Sequence, residues 1–173
     1  DANGTDTGSL LAKATTIDTS DDVALDLTIA QVADIEPVLS DGYAIRDTSD
    51  AIRDAAQAVI DAAVSVALSA PESVDYSVAD AITLGGRLTD PTGLTLNLVD
   101  DANVIRDAAQ AVIDAATGIA LDDAETVTYS VADADTLLGR LTDTTGLTLD
   151  ISDDADVIRD AAQATIDAAT GIA

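Results

Sequence analysis

A thirteen-residue sequence motif occurs three times in this chain, almost unchanged and at a constant interval. It reads AIRDAAQAVIDAA from Ala51, VIRDAAQAVIDAA from Val104 and VIRDAAQATIDAA from Val157, so each copy follows the last by 53 residues. Similarity at a fixed period is typical of repeat architectures, in which every unit buries its apolar face against its neighbours. The repeat is therefore the first constraint on the fold.

The period divides the chain into an arm and three units. We interpret residues 1–20 as a polar N-terminal arm, 21–73 as a divergent first repeat, 74–126 as the second repeat and 127–173 as the third. The third repeat stops within its unit, and neither Met nor a signal-like apolar segment opens the chain. We therefore expect a mature or excised piece of a longer protein.

A complete unit contains two strand patterns, each followed by a helical pattern. Apolar residues alternate over 74–78 and again over 94–98, which is typical of strands with one buried face. The helical pattern after Asp80 is short and interrupted by glycine. After Asp100 an apolar stripe predicts a long helix that ends at Gly118 as its C-cap glycine. The members of the stripe are Ile105, Ala108, Ala109, Val112, Ile113 and Ala116.

This order of elements predicts the fold class. A strand, a crossover helix and a second strand form a parallel sheet with a right-handed connection. We therefore expect an α/β repeat solenoid with a parallel β-sheet on one side, helices on the other and 53 residues per double-rung repeat. The alternative is a tandem of independent small domains. Such domains would be marginally stable alone, because the chain has no Phe, Trp or Cys to supply a large aromatic core or a disulfide.

The charge of the chain restricts its partners. A net charge of -26 arises from 33 acidic and 7 basic residues, which argues against nucleic acid as a partner. No apolar run is long enough for a membrane span. The expected partners are divalent cations, calcium above all, or copies of the chain in a medium that screens the repulsion. Only Glu36, Glu72 and Glu125 are glutamates, and this bias to Asp indicates carboxylates at backbone-defined positions.

Two functions are open for the aspartates at the strand ends. Asp that precedes a helix is expected to be its N-cap, and the candidates are Asp47, Asp80, Asp100, Asp133 and Asp153. Calcium binding is the alternative, because paired carboxylates supply the oxygens that calcium prefers. The candidate calcium ligands are Asp100, Asp101, Asp122, Asp123, Asp153 and Asp154. Neither an EF-hand loop nor a GGxGxD motif occurs.

Further acidic residues recur on the polar face of the long helical pattern. If equivalent positions lie two strand rungs apart, the carboxylates line up roughly 10 Å from one another. They form two predicted acidic ladders, Asp54, Asp107 and Asp160 and then Asp61, Asp114 and Asp167. A solvated surface is one interpretation, and a ladder bridged by cations or by arginines of a neighbouring molecule is the other.

Catalysis is not expected. The chain lacks His and Cys, which excludes imidazole bases and thiol nucleophiles. Carboxylates recur in every unit, whereas an active site normally occurs once. Tyr76 and Tyr129 are expected to fill the same core slot in successive units, with a carbohydrate-binding surface as the alternative.

Two segments carry a resemblance to known proteins. YSVADADTLLGRL and LDISDDADVIRDAAQATIDAA combine a strand, an acidic turn and an Ala-rich amphipathic helix. They resemble the tandem Asp/Ala/Thr-rich repeats of giant secreted bacterial surface proteins, including S-layer-like and adhesin-like chains and cell-surface proteins of marine cyanobacteria. The resemblance covers most of residues 43–173. It implies an extracellular location, a structural or adhesive function and, often, calcium dependence.

These observations predict an extracellular structural protein that self-assembles into a filament, sheath or surface layer with the help of divalent cations. The alternative is a monomeric spacer or a calcium-binding adhesin module of a longer surface protein. A halophile's surface protein is a third possibility, for which the single lysine, Lys13, is suggestive.

Overall fold

A computed structural model describes residues 24–35 and 42–173 of the chain. Nine strands occur in these residues, namely β1 Leu25–Leu27, β2 Tyr43–Asp47, β3 Ser65–Leu68, β4 Glu72–Tyr76, β5 Leu94–Asp100, β6 Gly118–Leu121, β7 Glu125–Tyr129, β8 Leu147–Ile151 and β9 Gly171–Ile172. Nine helices accompany them there, namely α1 Ile29–Ile35, α2 Ser49–Asp54, α3 Gln57–Ala62, α4 Val78–Gly85, α5 Ala102–Asp107, α6 Gln110–Ala115, α7 Val131–Arg140, α8 Ala155–Asp160 and α9 Gln163–Ala168.

The strands form three small sheets. Their orders are β1-β2-β3, β4-β5-β6 and β7-β8-β9, and the strand pairs β1·β2, β2·β3, β5·β6, β7·β8 and β8·β9 are parallel. The α/β class with parallel strands is therefore confirmed. The single sheet expected from the sequence is not found in the described residues, where each set of three strands forms a sheet of its own.

The described residues divide into two compact units. The first contains the residues up to Glu72 together with Thr83–Leu94, and the second contains Ser73–Ile82 together with Thr95–Ala173. Aliphatic side chains from strands and helices form the core of each unit. Ile45, Ile52 and Val66 are at most 1% exposed in the first. The second buries a larger set to the same degree, namely Leu98, Ala102, Ile105, Ala134, Leu137, Leu149 and Ile151.

Strand register in the second unit repeats with the period of the sequence. Asn97 of β5 lies opposite Gly118 of β6, and Asp150 of β8 lies opposite Gly171 of β9. A Cβ atom on Gly118 would lie 2.9 Å from Oδ1 of Asn97, so a larger residue there would displace that side chain. Gly118 thus begins a strand and does not cap a helix, which corrects the sequence prediction.

The predicted lengths of the two helices in a unit are reversed. The helix that follows β4 has 8 residues and the helix that follows β7 has 10. The single long helix predicted after Asp100 is instead two helices of 6 residues, α5 and α6. They are separated by Ala108 and Ala109, whose ψ angles of 146° and 138° are extended. The carbonyls at the end of α5 bind a side chain from a later segment, and the same break recurs between α8 and α9.

Candidate functional site

The candidate site is a contact that occurs once within each of the two compact units. One side is a helix pair with its following strand, either α2, α3 and β3 or α5, α6 and β6. The other side belongs to a later strand–helix segment. In the first case it consists of Glu72 and residues 83–89 of the segment 72–89, and in the second of residues 125–142. We call this arrangement the inter-segment contact. Three side chains of the strand–helix segment form it: a glutamate, an arginine and a threonine.

The arginine binds the C-terminal end of the first helix of the pair. Nη1 of Arg140 donates to the carbonyl oxygens of Ile105 at 2.6 Å and Ala108 at 2.8 Å. The last carbonyls of a helix have no partner within the helix, and hydrogen bonds from a charged donor are stronger than neutral ones. Arg140 therefore stabilises the end of α5 and the extended residues that follow it.

The first unit contains the same geometry one repeat earlier in the chain. Nη1 of Arg87 donates to the carbonyl oxygens of Ile52 at 2.6 Å and Ala55 at 2.8 Å, and also to that of Arg53. The helix ends beneath the two arginines have nearly the same conformation, with ψ of 150° at Ala55 and 146° at Ala108. The same tertiary interaction thus accompanies the helix break in both units.

The threonine continues the contact along the strand that follows the helix pair. Oγ1 of Thr142 accepts from the amide of Ile119 at 2.7 Å and donates to its carbonyl at 3.0 Å. Thr89 makes the same two bonds with Val66, at 2.9 and 3.0 Å. A single hydroxyl group therefore satisfies both backbone groups of one strand residue in each unit.

The glutamate binds the N-terminal end of the first helix of the pair. Oε1 of Glu125 accepts from the amide of Ala102, and Oε1 of Glu72 accepts from the amide of Ser49. A carboxylate at this position satisfies a free amide and complements the helix dipole. This contact assigns a function to two of the chain's three glutamates. Glu36 lies outside the described residues.

The aspartates at the strand ends also bind helix starts, but not those of the helices that follow them. Oδ2 of Asp47, Asp100 and Asp153 accepts from the amides of Ile29, Val78 and Val131, which are the first residues of α1, α4 and α7. The helices that follow have Thr48, Asp101 and Asp154 as N-cap residues. The carboxylates therefore join neighbouring segments, whereas the sequence predicted purely local caps.

Asp80 and Asp133 lie inside the first turn of their helices and are not the N-cap residues. The caps are serines, since Oγ of Ser77 accepts from the amide of Asp80 at 3.1 Å and Oγ of Ser130 accepts from the amide of Asp133 at 3.2 Å. An acidic residue in the first turn still has a favourable interaction with the helix dipole.

The candidate calcium ligands occur in three Asp-Asp pairs in which the first carboxylate turns back onto the chain. Oδ1 of Asp100, Asp122 and Asp153 accepts from the amide of the next residue, at 2.8 to 2.9 Å. Within residues 24–35 and 42–173, no three acidic side chains come close enough together to hold a metal ion. Calcium binding by Asp101, Asp123, Asp154 and their neighbours stays a prediction.

Each aspartate of the two predicted ladders has a partner within its own helix pair. Asp54, Asp107 and Asp160 accept from the arginine that precedes each of them. Asp61, Asp114 and Asp167 accept at 2.7 to 2.8 Å from the glutamine four residues earlier. The arginine pairs offset part of the local negative charge and the glutamine pairs do not, and each exposed pair contributes little to stability.

A titration tests the pairing of Asp107. The bidentate hydrogen bond from Arg106 holds the pKa of the Asp107 carboxyl below its ordinary value. We expect Arg106→Gln to raise this pKa, measured by NMR titration of the carboxyl carbon. Because the folded-state pKa is lowered, stabilisation by this pair is complete above the ordinary carboxyl pKa of about 4 and is lost as pH falls through the lowered value. An unchanged pKa in the variant would contradict this cause, and Gln110→Ala serves as the control that leaves it unchanged.

The tyrosines are core residues whose hydroxyl groups find partners. Tyr76 and Tyr129 are 6% and 7% exposed. The Tyr129 hydroxyl donates to Oδ1 of Asn103 at 2.8 Å, and the guanidinium of Arg106 lies 4.8 Å from the ring centroid. Burial raises the pKa of Tyr129. Their burial leaves little ring surface for a sugar, which favours the core interpretation.

Two open grooves occur at equivalent positions of the second unit. One of about 430 Å³ lies beside the break between α5 and α6, and one of about 420 Å³ lies beside the break between α8 and α9. Ile82 lines the first groove, and Asp135 occupies its place in the second. In the second groove Oγ1 of Thr165, which is 3% exposed, donates to Oδ1 of Asp135. The residue equivalent to Thr165 in the first groove's repeat is Val112.

Two apolar residues of one repeat, Ile82 and Val112, are replaced in the next by Asp135 and Thr165. This replacement predicts thermodynamic coupling between positions 135 and 165. Asp135→Ile alone leaves the buried Thr165 hydroxyl without its acceptor, which should cost about 1–3 kcal/mol. The double change Asp135→Ile with Thr165→Val places at both positions the residues of the preceding repeat, Ile82 and Val112, and we expect it to recover most of that loss. Urea unfolding of the two single variants and the double variant measures the coupling. Additive effects would contradict it.

Helices in the described part of the chain are all too short or too polar to cross a bilayer. Comparison with known proteins gave no matching family, no similar curated protein and no similar solved structure.

Proposed function

We propose that this chain is an extracellular structural repeat protein that self-assembles into a filament, sheath or surface layer. Its repeats would stack as a solenoid with 53 residues per double-rung repeat, in which each helix pair is bound by the later strand–helix segment through the inter-segment contact. No residue is assigned a catalytic function in this proposal.

One observation carries the proposal: the inter-segment contact occurs in both units with the same residue types at the same spacing. The glutamate and the arginine have the same separation in both cases, Glu72 with Arg87 and Glu125 with Arg140. A contact between two different surfaces can be repeated without limit, because each added copy brings an unused copy of one of the two surfaces. Head-to-tail contacts of this kind produce open fibres when the rotation does not close.

The charge of the chain supports an additional function for divalent cations. Copies with a net charge of -26 repel one another at low ionic strength. Calcium bound near the Asp-Asp pairs would reduce this repulsion and favour assembly. We include calcium in the proposal on this electrostatic ground and on the resemblance to secreted surface proteins.

A monomeric spacer or adhesin module is the second candidate. It is favoured by the observation that each inter-segment contact described here joins segments of one chain, so that no second molecule is needed to form it. This candidate predicts dispersed particles at all concentrations, with stability that rises when calcium is added.

Negative-stain electron microscopy separates the two candidates. The purified chain is examined at matched ionic strength, first with millimolar calcium and then with chelator. Filaments or sheets in calcium that disperse in chelator support cation-assisted assembly. Assembly in both conditions keeps the structural function and removes the cation from it. Dispersed particles in both conditions, checked by analytical ultracentrifugation at high concentration, overturn the assembly proposal.

A further inference from the structure

We infer that the face formed by α8, α9 and β9 is a docking surface for a further strand–helix segment of the kind seen at residues 72–89 and 125–142. This inference deepens the proposed assembly and rests on it for its biological context. The partner is defined by its chemistry: a strand–helix segment with glutamate and arginine spaced as Glu125 and Arg140 are, and with threonine at the position of Thr142.

The third helix pair has the same residues on this face as the two pairs that are already covered. Ile158 and Ala161 correspond to Ile105 and Ala108, whose carbonyls bind Arg140. The helix break recurs as well, since Ala161 and Ala162 have extended ψ angles of 154° and 138°. The backbone that accepts an arginine in the first two pairs is thus present a third time.

Arg87, Arg140 and Arg159 already donate hydrogen bonds to other acceptors. Arg87 and Arg140 bind the first and second helix pairs. Arg159, which lies next to Ile158, donates to Asp156 and Asp160 on its own helix. The carbonyl of Ile158 accepts a backbone hydrogen bond from the amide of Ala161, three residues later, at 3.3 Å. The carbonyl of Ile105 accepts the equivalent bond from Ala108 in addition to the bond from Arg140. The acceptor side of the contact is therefore formed before its donor arrives.

Side chains on this face are more exposed than their counterparts in the preceding repeats, as expected if no segment covers them. The side chain of Arg159 is 65% exposed, whereas those of Arg53 and Arg106 are 21% and 20% exposed. Ile172 of β9 is 49% exposed, but Ile119, its counterpart in β6, is 4% exposed. Ile119 owes its burial partly to the segment that brings Thr142. Covering Ile172 in the same way would remove a large apolar side chain from water.

Continuity with the two existing contacts identifies the occupant. A segment placed on α8 and β9 as residues 125–142 lie on α5 and β6 would bring its arginine to the carbonyls of Ile158 and Ala161. Its threonine would reach the backbone of Ile172, and its tyrosine would lie near Asp156, which corresponds to Asn103. Each of these interactions has a counterpart in the second unit, so the surface is specific for this chemistry and not only for an apolar partner.

The test lengthens the full chain after Ala173 by a copy of residues 121–143, which continues the repeat in register. Amide hydrogen exchange of residues 155–172 is compared by mass spectrometry between the original and the lengthened chain. We expect exchange there to slow by about tenfold or more, towards the rates of residues 102–119, which serve as the internal reference. Replacing the arginine of the added copy by methionine should remove most of this protection.

Unchanged exchange at residues 155–172 in a lengthened chain whose residues 102–119 remain protected would overturn the inference. Protection that does not depend on the added arginine would overturn the chemistry assigned to the partner. The result is independent of the microscopy experiment on the original chain. Slower exchange together with dispersed particles would uphold the docking surface and reject the assembly proposal, and the reverse pattern would reject only the docking surface.

Discussion

Truncation of Ile105 to alanine should destabilise the protein by about 2–5 kcal/mol, the range for removing most of a large aliphatic side chain from a packed core. Ile105 is fully buried, and its carbonyl is also the acceptor for Arg140. Loss of the side chain leaves a cavity at the point where the helix pair meets the strand–helix segment. Urea unfolding followed by far-UV circular dichroism measures the change.

The repeat supplies a matched control for this experiment. Ile158 occupies the same position in the next repeat and is only partly buried. Ile158→Ala should therefore cost clearly less, about 1 kcal/mol, at concentrations where the chain is dispersed. Equal losses for the two variants would contradict the difference in burial. A cost for Ile158→Ala that grows with protein concentration would indicate that another copy covers α8.

Replacement of Arg140 by methionine should cost about 2–3 kcal/mol. Methionine keeps an apolar stem but removes the guanidinium, so the carbonyls of Ile105 and Ala108 lose a charged donor. The Ile105 carbonyl then keeps only its backbone bond from Ala108. Amide exchange should also rise along α5 and at Ala108. Arg140→Lys should recover part of the stability, because a single ammonium group can still reach a carbonyl but is less suited to bridging two.

Arg159→Met is the control for removal of an arginine as such. Its guanidinium forms only exposed ion pairs with Asp156 and Asp160, and pairs of this kind contribute about 0–1 kcal/mol. The Arg140 prediction fails if the two methionine variants have the same unfolding free energy. Arg87→Met extends the comparison to the first unit, where we expect a loss similar to that of Arg140→Met.

The parts of the fold that could be predicted from the sequence are those set by local patterns. Alternation over 94–98 identified a strand that the structure extends over β5, and the order of strands and helices identified the parallel α/β class. Of the six residues of the apolar stripe, Ile105, Ala108 and Ile113 are at most 9% exposed, whereas Ala109 is exposed and Val112 and Ala116 are only partly buried. Period and burial are both properties of a short stretch of chain, so a single sequence is enough to recover them.

Interactions across segments could not be predicted in the same way. Ala108 and Ala109 are good helix formers, so their propensity does not predict that the helix stops there. The guanidinium that binds the Ala108 carbonyl comes from Arg140, 32 residues later in the chain. The target of Asp100 is likewise 22 residues away, although the local pattern assigned it to the next helix. The one available signal was the recurrence of Arg87 at Arg140 without an assigned function.

Several helix ends bind groups from later in the chain, in addition to the caps that Thr48, Ser77 and Ser130 supply from the N-terminal side. Asp47 follows Ile29 by 18 residues, Glu125 follows Ala102 by 23 and Arg140 follows Ile105 by 35. On the ribosome, each of these helix ends therefore receives its later partner only when the next few dozen residues have emerged. The order of synthesis becomes the order of folding, one segment at a time from the N-terminal end. Because loop closure over such short separations costs little entropy, lengthening the protein by further repeats would not slow this process.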